Sequence, residues 1–412
     1  LERLARAVYK ILLFLDNYLS CIKTAKMTFH RLKLASDMAE QLLQPTGLMK
    51  KVRSGLFLGG LRRIGKTTFL RRDLIPALEA RGAIVVYVDL WSNTAAKPTD
   101  LLLGAVRRTL TDLERPDSRV LGSLKRLKGL DIGAAGFKFG FSLTELGRNE
   151  GSTLAGAFSE LVRLAKTDVV VIVDEVQHAL GSEDGDSMLL ALKAARDEIN
   201  LTPDTPGFFL FVGTGSHRAR VRELTIKGKQ AFNGAMSEDF PVLEIDFVEW
   251  LLNEAALGDR APTLNAAFEC FVRLGRRPEE LMKALFALQH LPNCSDADQN
   301  LRAITEGVRQ SAASVDLARL DEMGPLATAV FGYVCKQGGR GVKKLFSAAT
   351  LEEYRVEVGR PVGAEEIQKV ANMLVDANIL ARDGHGVYGV SDSFVAEAYS
   401  SRIDILKTLD GP

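Results

Sequence analysis

Along residues 46–245, short, largely apolar runs alternate with stretches of helical spacing. The runs at 56–58, 83–90, 168–173, 207–212 and 242–245 are rich in Val, Ile, Leu and Phe, which predicts buried strands. Helices are expected between them at 67–80, 98–113 and 187–200. Strands that are apolar on both faces and joined through helices form a parallel sheet covered on both sides, so the fold class is α/β.

Residues 118–150 break this rhythm. Apolar residues alternate with small or polar ones over 131–141, which predicts a β-hairpin inserted near 130–142. The cluster Arg119, Lys125, Arg126 and Lys128 before it is either a solvated helix face or a contact for nucleic acid or a partner. Residues 1–45 read as an N-terminal helical segment, with Leu4, Val8, Ile11 and Leu12 at helical spacing. The core at 46–245 gives way to a helical stretch at 246–315, interrupted around 258–262.

A further module spans 320–405. Helices are expected at 326–336, 348–358 and 363–378, the last with Ile367, Val370, Met373 and Leu374 on one face. Two short alternating strands then flank Asp383-Gly384-His385-Gly386, a hairpin pattern. Helices followed by such a hairpin describe a winged helix-turn-helix. Its exposed Gln368, Lys369 and Asn372 are types that read base edges, whereas Glu365 and Glu366 repel phosphates. The module therefore serves either DNA or the docking of a protein.

Chemistry enters where the first strand ends. Gly60-x-x-x-x-Gly65-Lys66-Thr67 fills the phosphate-binding loop pattern in a strand-to-helix context. Its glycines let the backbone N–H groups from Gly60 through Arg62, Arg63, Ile64 and Gly65 curl around a triphosphate, with Thr68 in the same cradle. Lys66 can reach the β- and γ-phosphates, and the Thr67 hydroxyl can ligate Mg²⁺. The third apolar run ends in Asp174-Glu175, which supplies a carboxylate for the Mg²⁺ shell and a neighbour able to polarise a water. The fourth ends in Thr214-Gly215-Ser216, and either hydroxyl is a candidate contact for the γ-phosphate or the attacking water. Gly275-Arg276-Arg277-Pro278 is either a capped helix–helix turn or a source of a phosphate-binding arginine.

Bulk properties narrow the setting. A chain of 412 residues is too long for one core, so two or three domains are expected. The formal net charge of +1 confines any nucleic-acid surface to a local patch. Cys21, Cys270, Cys294 and Cys335 lack metal-ligand spacing, which favours reduced thiols in a cytoplasm. Residues 11–15 are too short for a leader and are stopped by Asp16, and no run is long enough to span a bilayer.

Together, residues 60–68, Val173-Asp174-Glu175-Val176-Gln177, Gly213-Thr214-Gly215-Ser216 and Gly275-Arg276-Arg277-Pro278 resemble the AAA+ ATPases of the branch holding initiator-type, archaeal-type and STAND switch ATPases. The resemblance implies a P-loop NTPase core with a five-stranded parallel sheet of order 5-1-4-3-2, a helical lid and a C-terminal winged helix. ATP is then bound where core and lid meet. It casts Lys66, Thr67, Asp174 and Glu175 in the roles above, Thr214 or Ser216 as first sensor, and Arg276 or Arg277 as second sensor. Archaeal-type relatives tend to carry Gly-Arg before the fifth strand, whereas this chain has Gly234-Ala235, leaving Arg218, Arg220 and Arg222 as candidates for an arginine acting across subunits. The expected activity is Mg²⁺-dependent ATP hydrolysis coupled to assembly on double-stranded DNA, with a homo-oligomer in view. The rival is a STAND-type nucleotide switch docking a protein partner. A small-molecule kinase is a third class, opposed by Asp174-Glu175 and the C-terminal module.

Overall fold

The computed structural model describes residues 28–115, 117–128, 137–140, 153–292, 295–384 and 386–409. The chain divides into two compact units, Phe29–Val242 and one that holds Leu243–Pro412. Most of the hairpin expected near 130–142, and the first part of the N-terminal segment, lie outside the described residues.

In the first unit the strands are β1 (Leu56–Gly59), β2 (Ile84–Asp89), β3 (Val169–Asp174), β4 (Phe209–Gly215) and β5 (Met236–Asp239). They form one parallel sheet of order β2-β3-β4-β1-β5, the expected order read from the other edge. Side chains alternate between its two faces. Leu56, Leu58, Val170, Ile172, Leu210 and Val212 meet helix α1 (Leu32–Leu43) and the helix that follows β1. Phe57, Val86, Val171, Val173, Phe209 and Phe211 meet α3 (Pro98–Glu114), α5 (Leu154–Ala165) and α6 (Glu183–Asn200) on the opposite side. Helix α4 (Arg119–Lys128) precedes α5, and α7 (Arg218–Ile226) follows β4.

The fifth strand differs from expectation. It is Met236–Asp239, ahead of the apolar run at 242–245, and Ile245 instead opens a helix of the second unit. An edge strand paired only with β1 leaves much of its surface in water, so it carries no apolar run to reveal it.

Helix α2 begins at Lys66 and runs to Glu79 through one π turn, Leu70–Leu74. Pro76 lacks the N–H that an α-helical ladder needs, and the Ile75 N–H reaches Leu70 O across the widened turn. The turn carries a buried carboxylate. Asp73 Oδ1 lies 2.6 Å from His30 Nδ1, and its Oδ2 accepts from the Arg31 N–H at 3.0 Å. The Arg31 guanidinium in turn donates to Pro241 O at 2.8 Å and lies over the rings of Phe69 and Phe240. Residues 30–31 thus strap the outer side of the phosphate-loop helix to the segment after β5.

The second unit contains α8 (Ile245–Ala255), α9 (Leu264–Arg273), α10 (Pro278–Gln289), the long α11 (Ala297–Glu322), α12 (Pro325–Lys336), α13 (Ala348–Val358) and α14 (Ala364–Asp376). Strands β6 (Leu380–Gly384) and β7 (Val387–Val390) form an antiparallel hairpin, and α15 (Ser393–Leu409) follows it. An isolated antiparallel bridge joins Val342 to Tyr388 of that hairpin. Phe331, Tyr354, Ile367, Leu374 and Tyr388 are core residues here. Met373 is 40% exposed, contrary to its expected place on the apolar face. Six helical positions from Ile367 rotate it about 120° away, and Ala371 and Val375 take the buried places instead. Among the described residues no helix is long and apolar enough to cross a membrane.

Substituting Asp73→Ala removes the acceptor of the His30 and Arg31 bonds. We expect a loss of about 2 kcal/mol in stability, read as a lower urea midpoint for the full chain.

Candidate functional site

The turn after β1 is shaped by backbone that few side chains tolerate. Arg63 (φ 65°) and Gly65 (φ 86°) are left-handed, and a Cβ on Gly60 would lie 2.8 Å from Ile64 Cδ1 and 3.0 Å from Phe240 Cβ. Gly65 caps α2 without a side chain, so the first-turn N–H groups of α2 are left for a ligand. Within this loop the Lys66 ammonium donates to Gly60 O at 3.1 Å and Leu61 O at 2.7 Å. Burial holds its pKa below the usual lysine range, opposed by the charges of Glu175 and Asp174.

Asp174, at the end of β3, is fully buried. Its Oδ2 accepts from Thr67 Oγ1 at 2.6 Å and from the Tyr87 hydroxyl at 3.1 Å, and its Oδ1 accepts from Thr214 Oγ1 and from the Glu175 N–H at 3.1 Å. Burial and the adjacent Asp174 push the Tyr87 phenol well above its ordinary pKa, so it donates.

Glu175 follows in a left-handed conformation (φ 55°), which turns its side chain away from the strand's direction. Its Oε2 accepts from the Ser216 N–H at 3.1 Å, from Ser216 Oγ at 2.7 Å and from Gln177 Nε2. Burial alone raises a carboxyl pKa. Here the bonds from Ser216 and Gln177 and the charge of Lys66 outweigh it and hold Glu175 below its usual range.

The loop, Lys66, Thr67, Asp174, Glu175, Thr214 and Ser216 therefore converge at the C-terminal edge of one sheet, where open α/β sheets place ligands. The two hydroxyls that sequence left equivalent divide: Thr214 serves Asp174 and Ser216 serves Glu175. Ile64 is core, Thr68 faces outward on α2, and Arg62 lies 4.7 Å over the Trp91 ring, which meets His178 edge-on. Arg276 and Arg277 belong to the second unit. Arg276 is paired with Glu244 and donates to Leu243 O, while Arg277 is paired with Asp392 and lies over Phe394. Tyr87 was missed as a contributor, because a strand tyrosine carries no motif of its own, and Gln177 stood in the 173–177 motif without a role assigned to it.

Among the described residues no group of three or more His, Cys, Asp or Glu is placed to hold a metal ion alone. One hydroxyl and one carboxylate facing each other, Thr67 and Asp174, instead suit Mg²⁺, which takes few protein ligands and shares phosphate oxygens.

Replacing Thr214 by Val keeps the side chain's shape and removes a donor to a buried carboxylate. The expected cost is about 2 kcal/mol, whereas Ser216→Ala, which retains the backbone N–H, costs about half as much. Urea denaturation of both variants measures the difference.

No protein-family model and no curated protein matches the sequence. Solved structures do. A Walker-type ATPase of Pyrococcus abyssi is 18% identical at a TM-score of 0.55, covering 90% of this chain and 96% of that one. The Aeropyrum pernix ORC2 protein, solved as ADPNP–ADP complexes, is 14% identical at a TM-score of 0.50, covering 93% of this chain and 96% of that one. With the strand order and the loop after β1, these likenesses show that the chain has the P-loop AAA+ ATPase fold.

Proposed function

We propose that this protein is an Mg²⁺-dependent ATPase that couples its nucleotide state to assembly on double-stranded DNA. The observation that carries the ATPase reading is the meeting of Thr67, Asp174 and Glu175 beside the Lys66 loop. Loop N–H groups and Lys66 bind the β- and γ-phosphates of ATP. Thr67 and Asp174 would hold Mg²⁺, which supplies neutralisation of phosphate charge when bound. Glu175 accepts a proton from water as that water attacks the γ-phosphorus. The bond from that phosphorus to the bridging oxygen breaks, and ADP leaves with the electron pair.

DNA is supported by the second unit. Helices α12 to α14 followed by the β6–β7 hairpin have the element order of a winged helix-turn-helix. Lys369 and Asn372 are exposed on α14, and Arg340, Lys343 and Lys344 are exposed around Val342, which is bridged to Tyr388 of β7. Glu366 is neutralised by Arg360 at 2.6 Å, which weakens its repulsion of phosphate. Of the candidate arginines on α7, Arg222 and Arg218 are exposed, Arg218 lying 3.7 Å from Asp239, and Arg220 is half-buried, so Arg222 is the one best placed to act on a neighbouring copy in a homo-oligomer.

One observation favours the alternative, a nucleotide switch that docks a protein. Arg277, at the start of α10, is paired with Asp392, and Phe394 lies between Arg277 and Arg309 at 4.6 and 5.0 Å. Lid helices and C-terminal module are thereby fastened into one body, which is what a switch needs to move them together.

Steady-state ATP hydrolysis by the wild type and Glu175→Gln, each with and without duplex DNA, tests both readings. A fall of about 100-fold in kcat for Glu175→Gln, with wild-type turnover stimulated by DNA and the stimulation lost at high salt, is expected. Slow turnover indifferent to DNA at every salt concentration would select the switch.

A further inference from the structure

We infer that Gln177 is a positioning residue for the water-activating carboxylate, locking Glu175 Oε2 against the end of β4 so that Oε1 is the oxygen that takes the proton. The inference rests on the ATPase reading above and concerns a residue to which that reading gives no role.

Three features carry it. The described donors to Glu175 all reach the same oxygen: the Ser216 N–H, Ser216 Oγ and Gln177 Nε2 converge on Oε2. A carboxylate gripped on one oxygen has a fixed plane, and the other oxygen then has a fixed direction. β4 lies between β3 and β1 in the sheet, so an anchor at its end draws Glu175 from its own strand toward the strand that carries the phosphate loop.

The second feature is the cost accepted to bring the amide there. Gln177 is only 7% exposed, and its Oε1 is buried without a hydrogen-bond partner. A buried carbonyl left unpaired is unfavourable, so the amide is not held for its oxygen. Facing a carboxylate, only the NH₂ end is attractive, which assigns the orientation of the amide. Its Nε2 also lies 3.3 Å from Ser216 Oγ, which links the two clamps.

The third feature lies in the backbone opposite. A Cβ on Gly215 would sit 2.1 Å from Gln177 Oε1 and 2.6 Å from Val221 Cγ2. Gly215 is not left-handed, so its backbone does not itself demand glycine. What demands glycine is the room taken by the Gln177 amide and the Val221 side chain.

The test measures ATP turnover and nucleotide affinity for the full-length protein. In Gln177→Ala, kcat is expected to fall at least about 10-fold, within the span of general-base effects, while Kd for a non-hydrolysable ATP analogue changes less than about twofold. Adding Ser216→Ala deepens the loss, because only the backbone donor remains. In a Glu175→Gln background the same Gln177→Ala change has no further effect on kcat, since the carboxylate it positions is gone. A structural role would instead multiply the two losses and weaken nucleotide binding as well. Turnover in Gln177→Ala equal to or above wild type overturns the inference alone. Turnover that survives Glu175→Gln removes the assigned base, and absence of turnover in the wild type removes the ATPase reading. Both of those results take this inference with them.

Discussion

The Asp174 carboxylate is the interaction on which the site's geometry depends. It is fully buried, and removing an ion from water costs several kcal/mol. Donors from Thr67, Tyr87, Thr214 and the Glu175 backbone offset that cost, each charge-assisted bond contributing about 1.5–3 kcal/mol. Those donors arrive from the phosphate-loop helix, β2, β4 and β3's own end. A single anion therefore fixes the relative heights of three strands and a helix start, and any slip in register would leave it unsatisfied. The sheet's registers place Asp89 beside Asp174 and Val173 beside Gly213, consistent with that alignment.

Around this anchor the same principle recurs on a smaller scale. Asp73 secures the outer side of α2 by accepting from His30 and Arg31, so the helix that presents Lys66 and Thr67 is held from behind as well as from the front. Pro76 and the π turn put that carboxylate where the strap can reach it. In the second unit Arg277 and Asp392 pair where little water reaches, and Phe394 fills the space between two guanidinium groups. Asp174, Asp73 and Arg277 are each matched by partners from distant parts of the chain, which is how burial of charge becomes specificity of fold.

Much of this was legible in the linear order of residues. A buried parallel strand must be apolar on both faces, so β1 to β4 announce themselves as runs of Val, Ile, Leu and Phe. The phosphate loop is legible for a related reason: its glycines and Lys66-Thr67 act through backbone spacing, which is local. The edge strand β5 was not legible, because its solvent-facing residues obey no apolar rule. Met373 was misplaced by a pattern that counted apolar residues without completing the rotation from Ile367.

By itself, then, the sequence determined the α/β class, the strand order implied by its resemblance, and the identity of the loop lysine, threonine and paired carboxylates. Only the tertiary structure decided which hydroxyl serves which carboxylate, that Tyr87 and Gln177 belong to the site, and that Arg276 and Arg277 are held by Glu244 and Asp392. The physical reason is the range of the interactions. Backbone turns and strand burial are set by neighbours a few residues away. The partner of a buried polar group is chosen by the packing of elements dozens of residues apart, as Thr214 and Asp174 are.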